Sequence, residues 1–145
     1  MCIRDSNNIY YFSFATSNTY LDTLSGHHVP NKDMGLILRR NARAMGKKID
    51  YWADSKGTDS TWFENDGIVN TISMIRPTTG LKGPDPIIVY KGNNDFVPGS
   101  WHYMGKLTMD HRSLMGRGKI SDDLRNSILI LLKEHTERLS ALPSF

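Results

Sequence analysis

The chain has 145 residues, enough for one domain to bury a core, and its 39% hydrophobic and 23% charged residues are typical of folded globular proteins. No apolar run approaches the roughly 20 residues that a membrane-spanning helix needs, so we expect no transmembrane segment. The net charge of +3 is modest, and the only basic cluster, at residues 39–48, could contact phosphate. We interpret that cluster as the solvated face of a short helix and expect no nucleic-acid partner.

The first six residues, MCIRDS, resemble the translation of a transposase adapter used in preparing sequencing libraries. We therefore treat residues 1–6 as an artefact and leave them out of the fold. On this interpretation Cys2, the only cysteine, carries no information about the redox compartment. We expect residues 7–145 to be the C-terminal portion of a single domain that a further N-terminal stretch would complete.

The first half of the chain contains few clear elements. Residues 8–15 (NIYYFSFA) are apolar on both faces, which predicts a strand buried in the middle of a sheet. Residues 16–61 are predicted to be irregular, apart from a helix over Met34–Met45 that ends at Gly46. Residues 64–67 (ENDG) form a turn signal, and residues 68–75 could be a strand or a short helix.

The second half is clearer. Residues 77–86 and 93–100 are predicted loops, whereas residues 87–90 and 101–109 are predicted strands. A C-terminal helix should begin at Ser121, with two aspartates in its first turn, and end before Pro143. Its inward stripe is predicted to comprise Leu124, Ile128, Leu131, Leu132, His135 and Leu139. Two or three strands and one helix make a thin core for this length, which indicates part of a larger α/β domain.

The residues alone indicate little chemistry. The sequence has no Gly-x-Ser-x-Gly nucleophile elbow, no glycine-rich phosphate loop, no cysteine pair and no His-x-x-x-His pattern. An aspartate before glycine is ordinarily a turn former, and a single histidine is ordinarily structural or solvated. We accordingly expect His102 and the His27–His28 pair to be surface or packing residues, and Trp62 and Trp101 to lie in the core.

Two segments taken together change this interpretation. They are residues 62–73 (WFENDGIVNTIS) and residues 99–105 (GSWHYMG), the latter continuing through Met109-Asp110-His111. Both resemble the bacterial true lipases of the Bacillus/Geobacillus and staphylococcal group, α/β-hydrolases that cleave triacylglycerols. Residues 10–17 (YYFSFATS) are also similar to that family, and the resemblance covers residues 8–116. It implies the C-terminal part of an α/β-hydrolase sheet, about three strands, with a C-terminal helix packed on it.

The resemblance also implies a function. In that family the acid of a Ser-His-Asp triad lies in the Glu-Asn-Asp-Gly motif and the histidine in a downstream Asp-His pair, which correspond to Asp66 and His111 here. The order serine, acid, histidine along α/β-hydrolase chains agrees with this assignment. The serine, oxyanion hole and lid would lie upstream, so we expect the chain alone to be inactive. Asp110 is a rival acid, although as the immediate neighbour of His111 it would reach the ring with difficulty. The triad requires Asp66 and His111, 45 positions apart, to come within about 2.6–3.2 Å.

The expected activity is carboxylic-ester hydrolysis by an extracellular triacylglycerol lipase, which acts on lipid esters and touches the lipid–water interface transiently. The alternative is a hydrolase-like binding or interaction module that has lost its serine. Whether the chain belongs to a lipase or to such a module, a sheet that lacks its remaining strands should have an unpaired edge and exposed apolar side chains.

The resemblance also raises the question of a calcium site, because the family often binds calcium. Gly35 stands where the family supplies a backbone carbonyl to calcium, but Ser113 and Gly118, the latter followed by Lys119, replace the expected carboxylates. Calcium prefers several oxygen ligands, usually including carboxylates. We therefore expect no calcium, no other metal and no cofactor in this chain; the family's zinc ligands would lie outside it.

Overall fold

The structure is a computed structural model that describes residues 8–50, 57–76, 85–93, 95–117 and 120–143. Two 3₁₀ turns, at Ser60–Trp62 and Thr71–Met74, accompany the regular elements. In chain order, the regular elements are β1 (Tyr11–Ser17), β2 (Thr19–Asp22), β3 (His27–Pro30), α1 (Leu36–Met45), β4 (Ile87–Val89), β5 (Trp101–Thr108), α2 (His111–Leu114) and α3 (Asp122–Ser140).

The centre of the fold is a three-stranded parallel sheet in the order β1-β5-β4. All three strands were predicted, but the middle position belongs to β5, and β1 has one strand partner among the described residues. Neighbouring elements cover β1 on both faces. Phe12 and Phe14 contact the ring of His135 in α3, and the Ser13 hydroxyl donates to the carbonyl of Ile75. The unpaired edge matches the expectation for part of a larger sheet.

Strands β2 and β3 form an antiparallel hairpin that the sequence did not predict. Its turn is held by the carboxylate of Asp22, which accepts hydrogen bonds from the Leu24 N–H at 3.2 Å and the Ser25 hydroxyl at 2.6 Å. Gly26 completes the turn at a φ of 70°, where a side chain would be strained. Each strand has only four residues, so neither shows enough alternation to be recognised as a strand.

Helix α1 begins two residues later than predicted and ends at Gly46 as expected. One side packs inward through Leu38 and Ala42, which form a buried cluster with Met34, a residue that precedes the helix. Arg40, Arg43, Lys47 and Lys48 are exposed and Arg39 is half-buried, which confirms that the basic cluster is largely a solvated helix face. The helix is joined to β3 by a hydrogen bond of 2.9 Å from the His28 N–H to the Gly46 carbonyl.

Helix α3 has the predicted N-terminus, since the Ser121 hydroxyl accepts a hydrogen bond from the Leu124 N–H at 3.2 Å. Its inward stripe is narrower than predicted. Ile128 is buried and His135 packs on β1, but Leu132 and Leu139 are 54% and 44% exposed. The helix therefore lies on the sheet along a line of contacts, which Arg138 continues by stacking on Tyr90. No helix in the described part of the chain is both long and apolar enough to cross a membrane.

The half-buried side chain of His135, whose Nδ1 atom is inaccessible to solvent, should make the stability of the fold depend on pH. Burial, followed by the charge of Arg138, lowers the pKa of this histidine below its usual 6.5, and Nδ1 has no hydrogen-bond partner among the described residues. The unfolded chain then binds the proton more tightly than the folded chain. The free energy of unfolding should therefore fall as the pH drops through about 6.5, and the loss should end below the folded-state pKa.

We expect a lower midpoint of urea unfolding at pH 5.5 than at pH 7.5. His135→Phe keeps an aromatic ring against Phe12 and Phe14 but cannot titrate, so it should reduce this difference. Some of the difference should remain, because burial also lowers the pKa of His28. An undiminished pH response in His135→Phe would show that His135 is not its source.

Candidate active site

Asp66 is held in a buried turn between the two 3₁₀ turns. Its side chain is 0% exposed. One carboxylate oxygen, Oδ1, accepts hydrogen bonds from the backbone N–H groups of Ile68 at 3.0 Å and Val69 at 2.8 Å. The turn itself is closed by a bond from the Asp66 N–H to the Val69 carbonyl at 3.1 Å. These bonds fix Oδ1, which leaves Oδ2 as the oxygen available to another side chain.

The residues on either side of Asp66 explain why the turn forms. The buried amide of Asn65 donates to the carbonyls of Ala42 in α1 and Phe63, and its oxygen accepts from the Gly67 N–H at 2.9 Å. Gly67 has a φ of 92°, and a Cβ at this position would lie 2.9 Å from the Cβ of Leu38. Asn65 therefore ties the turn to α1, and Gly67 permits both the backbone conformation and the close approach.

His111 reaches the same place from the other side of the fold. It is the first residue of α2, three residues after the end of β5, and its backbone N–H donates to the Asp66 carbonyl at 3.3 Å. Nδ1 of the ring lies 2.9 Å from Oδ2 of Asp66. The predicted contact between these two residues is thus present in the structure.

Asp110, the rival acid, has a different role. It is the N-cap of α2, where its Oδ1 accepts hydrogen bonds from the Ser113 N–H at 2.9 Å and the Ser113 hydroxyl at 3.0 Å. A capping carboxylate of this kind satisfies backbone donors at a helix start. The partner of the His111 ring is therefore Asp66.

The geometry determines what the ring can do chemically. With Nδ1 facing a carboxylate, the neutral imidazole carries its proton on Nδ1, and Nε2 has the free lone pair. The His111 side chain keeps 31% of its surface exposed, and Nε2 has no hydrogen-bond partner in the described part of the chain. The ring can therefore accept a proton at Nε2, and the adjacent carboxylate can stabilise the imidazolium that results.

Thr16 is a member of the site that sequence reasoning missed. Its hydroxyl, on a residue only 1% exposed, donates to Oδ2 of Asp66 at 2.5 Å. Oδ2 consequently accepts from Thr16 and from His111. No local pattern singles out this threonine, since it lies 50 positions before Asp66 in a strand of mixed polar and apolar residues.

Glu64, two residues before Asp66, belongs to a separate ion pair. Its carboxylate lies 2.6 Å from the ammonium group of Lys106 in β5. Burial of the Glu64 carboxyl favours its neutral form, but the hydrogen bond and charge of Lys106, together with contributions from Ser17 and His28, lower its pKa. Glu64 is therefore engaged elsewhere than at His111.

The remaining candidates are packing residues. His102 is 1% exposed; its Nε2 accepts from the Val97 N–H at 2.9 Å, which leaves Nδ1 to donate to the Tyr11 carbonyl at 3.2 Å. His27 lies against the ring of Phe63. Both match the predicted packing role. Trp62 and Trp101 were expected in the core, but both are half-buried. Trp62 is the last residue of the first 3₁₀ turn, and Trp101 is the first residue of β5.

The residues that match the family's calcium positions do not converge on a metal site in the described residues. Gly35 is the exposed N-cap residue of α1, and the hydroxyl of Ser113 donates to Asp110. Gly118 and Lys119 lie outside the described residues. Within those described residues, no three His, Cys, Asp or Glu side chains are grouped to hold a metal ion. The absence of a metal stays a prediction.

Several solved structures share the fold of this chain, although no family model matches it. EstA from Clostridium botulinum is 30% identical with a TM-score of 0.70, over 88% of this chain and 30% of its own. Lipase 1 from Pelosinus fermentans is 27% identical with a TM-score of 0.68, and the match covers 98% of this chain and 35% of the lipase chain. Staphylococcus hyicus lipase is 20% identical with a TM-score of 0.71, and the match covers 95% of this chain and 33% of the lipase chain.

These matches confirm the resemblance to bacterial lipases and the fold class that it implies. The three-stranded parallel sheet with its C-terminal helix is part of an α/β-hydrolase fold. The chain spans about a third of the length of the solved structures that it matches.

Proposed function

We propose that this chain is the C-terminal portion of a serine carboxylic-ester hydrolase of the triacylglycerol lipase type, in which it supplies the acid and the histidine of the triad. The observation that carries the proposal is the 2.9 Å contact between Asp66 Oδ2 and His111 Nδ1 in a chain with a lipase-like fold. Residues 7–145 are assigned to this one domain, and the nucleophilic serine to a segment upstream of it.

In this mechanism His111 moves the protons in both halves of the reaction. Nε2 takes the proton of the serine hydroxyl as the serine oxygen attacks the ester carbonyl. The resulting imidazolium gives that proton to the departing alcohol as the carbon–oxygen bond breaks, which leaves an acyl-enzyme. His111 then takes a proton from water, the water oxygen attacks the acyl carbon, and the imidazolium returns the proton to the serine oxygen as the acid leaves.

Asp66 contributes without exchanging a proton. Its Oδ2 keeps the ring in the Nδ1–H tautomer, so that Nε2 is the basic atom, and its negative charge stabilises the imidazolium. Complete burial of Asp66 strengthens this electrostatic effect, because water does not reach the carboxylate.

The same proposal extends to the substrates, the localisation and the cofactors of the protein. The substrates are lipid esters met at a lipid–water interface, the protein is extracellular, and no metal or cofactor is required by the residues of this chain. The sequence contains no Gly-x-Ser-x-Gly elbow, so residues 1–145 alone should not hydrolyse esters.

The decisive experiment uses the product of the gene extended upstream of residue 7, called the extended protein below. We expect it to contain a Gly-x-Ser-x-Gly elbow, to hydrolyse p-nitrophenyl butyrate and emulsified triacylglycerol, and to react covalently with a fluorophosphonate probe. His111→Ala should abolish hydrolysis. His27→Gln is the matched control, since that histidine packs on Phe63, and should retain activity.

An extended protein that lacks the serine elbow and does not react with the probe would contradict the proposal. That outcome would favour the interaction module that has lost its nucleophile. Hydrolysis that survives His111→Ala would contradict the assigned role of the histidine.

A further inference from the structure

We propose that Thr16 is a positioning residue of the triad, whose hydroxyl holds Oδ2 of Asp66 in line with Nδ1 of His111. This inference rests on the proposed function and deepens it. The hydroxyl of Thr16 lies 2.5 Å from Oδ2, and Nδ1 of His111 lies 2.9 Å from the same atom.

The two oxygens of Asp66 are held by different parts of the fold. Oδ1 is bound by the N–H groups of Ile68 and Val69, which belong to the same turn as Asp66 itself. Those local bonds restrain the carboxylate at Oδ1 only, so the small rotations about the Cβ–Cγ bond that they permit would tip Oδ2 away from the ring. Thr16, in β1, donates to Oδ2 beside His111 and opposes this rotation.

The proton of the Thr16 hydroxyl has one good acceptor. Sδ of Met74 lies 3.4 Å from the hydroxyl oxygen, but a thioether is a weak acceptor, whereas a hydrogen bond to a carboxylate is charge-assisted. The single proton is therefore directed at Asp66.

Thr16 is itself fixed in place. It pairs with Leu107 of β5 in the parallel sheet, and its carbonyl accepts a hydrogen bond from the Thr71 hydroxyl at 2.9 Å. Thr16 and Asp66 are 1% and 0% exposed, so water cannot readily replace a lost hydroxyl. Removing the hydroxyl should therefore leave the His111 ring as the remaining donor to Oδ2 and loosen the orientation of the carboxylate.

The test compares Thr16→Val, which keeps the shape but loses the hydroxyl, with Thr16→Ser, which keeps the hydroxyl. In the 145-residue chain labelled with ¹⁵N-histidine, we expect the Nδ1 proton of His111 to give a downfield, slowly exchanging resonance. Thr16→Ser should preserve that resonance. Thr16→Val should move it upfield or broaden it, while the backbone amide spectrum outside the site stays the same.

In the extended protein, Thr16→Val should lower kcat by about 10- to 100-fold, because a small error in orientation is costly, and should leave KM nearly unchanged. Thr16→Ser should restore most of the rate. If Thr16→Val does not fold, Thr16→Cys can replace it, because cysteine has a similar size and only a weak donor. Thr16→Cys should show the changed Nδ1 resonance of His111 and the lower kcat to a smaller degree.

An unchanged Nδ1 resonance and kcat in Thr16→Val would overturn the inference. So would equal losses in Thr16→Val and Thr16→Ser, because the missing group would then be the methyl and the role would be packing. Failure of the proposed function is distinguishable, since the unsubstituted extended protein would then be inactive while the resonance of His111 still responded to Thr16.

Discussion

Asp66→Asn should leave the fold in place and lower the turnover of the extended protein by roughly 10⁴, by analogy with the corresponding change in serine proteases. The amide has nearly the shape of the carboxylate, and its oxygen can still accept from the N–H groups of Ile68 and Val69. Its nitrogen, however, would face Nδ1 of His111 and donate to it. The ring would then carry its proton on Nε2, the atom that must accept the proton of the serine.

The measurement is kcat on a soluble ester, with circular dichroism and urea unfolding to show that the variant folds. Asp110→Asn is the matched control, because the same chemical change is made next to His111 on a side chain that caps α2. Asparagine caps a helix about as well as aspartate, so turnover should change by only a few fold. A large loss in Asp110→Asn together with a small loss in Asp66→Asn would reverse the assignment of the acid.

The parts of the fold that the sequence predicted are those that depend on local signals. Helix α3 combines a serine cap, two aspartates in its first turn and helical spacing of apolar residues, and its start was correctly placed. Strands β1 and β5 are long enough to show their composition. The hairpin of β2 and β3 was missed because four-residue strands held by one aspartate side chain and one glycine leave almost no periodic pattern.

Burial was harder to predict than secondary structure. The apolar spacing of α3 places Leu132 and Leu139 on the predicted stripe, yet both are substantially exposed. Periodicity defines a direction around a helix, but the width of the covered stripe depends on the neighbouring elements. Here the contacts run through His135 and Arg138, and nothing in the described residues covers the flanking leucines.

Some residues of the candidate site could be predicted from the sequence, and others could not. Asp66 and His111 were identified from the resemblance to a family, and their contact follows from the requirements of a triad. Asn65 and Thr16 could not be found, because their roles depend on pairs of residues far apart in sequence, such as Asn65 with Ala42 and Thr16 with Asp66. A buried threonine hydroxyl has no sequence signature that separates a donor to a catalytic acid from an ordinary strand residue.

The largest expected loss of stability comes from Gly46→Ala, at the C-terminal end of α1. Gly46 has an ordinary φ of −67°, so backbone strain is not the reason for a glycine here. A Cβ at this position would lie 2.0 Å from the carbonyl oxygen of His28 and 2.8 Å from its carbonyl carbon. Both are backbone atoms of β3, which is already bound to the Gly46 carbonyl through the His28 N–H.

The methyl group of an alanine therefore cannot be accommodated by turning a side chain; either α1 or β3 must move. Because α1 also holds the turn that carries Asp66, through Asn65 and Gly67, the displacement should reach the candidate site. Overpacking typically costs 1–3 kcal/mol, and we expect about 3 kcal/mol here because the obstacle is backbone.

Gly35→Ala, at the other end of α1, is the matched control: its φ is −57° and an added Cβ has no atom within 4 Å. Its effect should stay within about 1 kcal/mol. Urea unfolding of the two variants measures the difference, and equal losses would show that the contact between Gly46 and His28 does not limit the packing of α1 on β3.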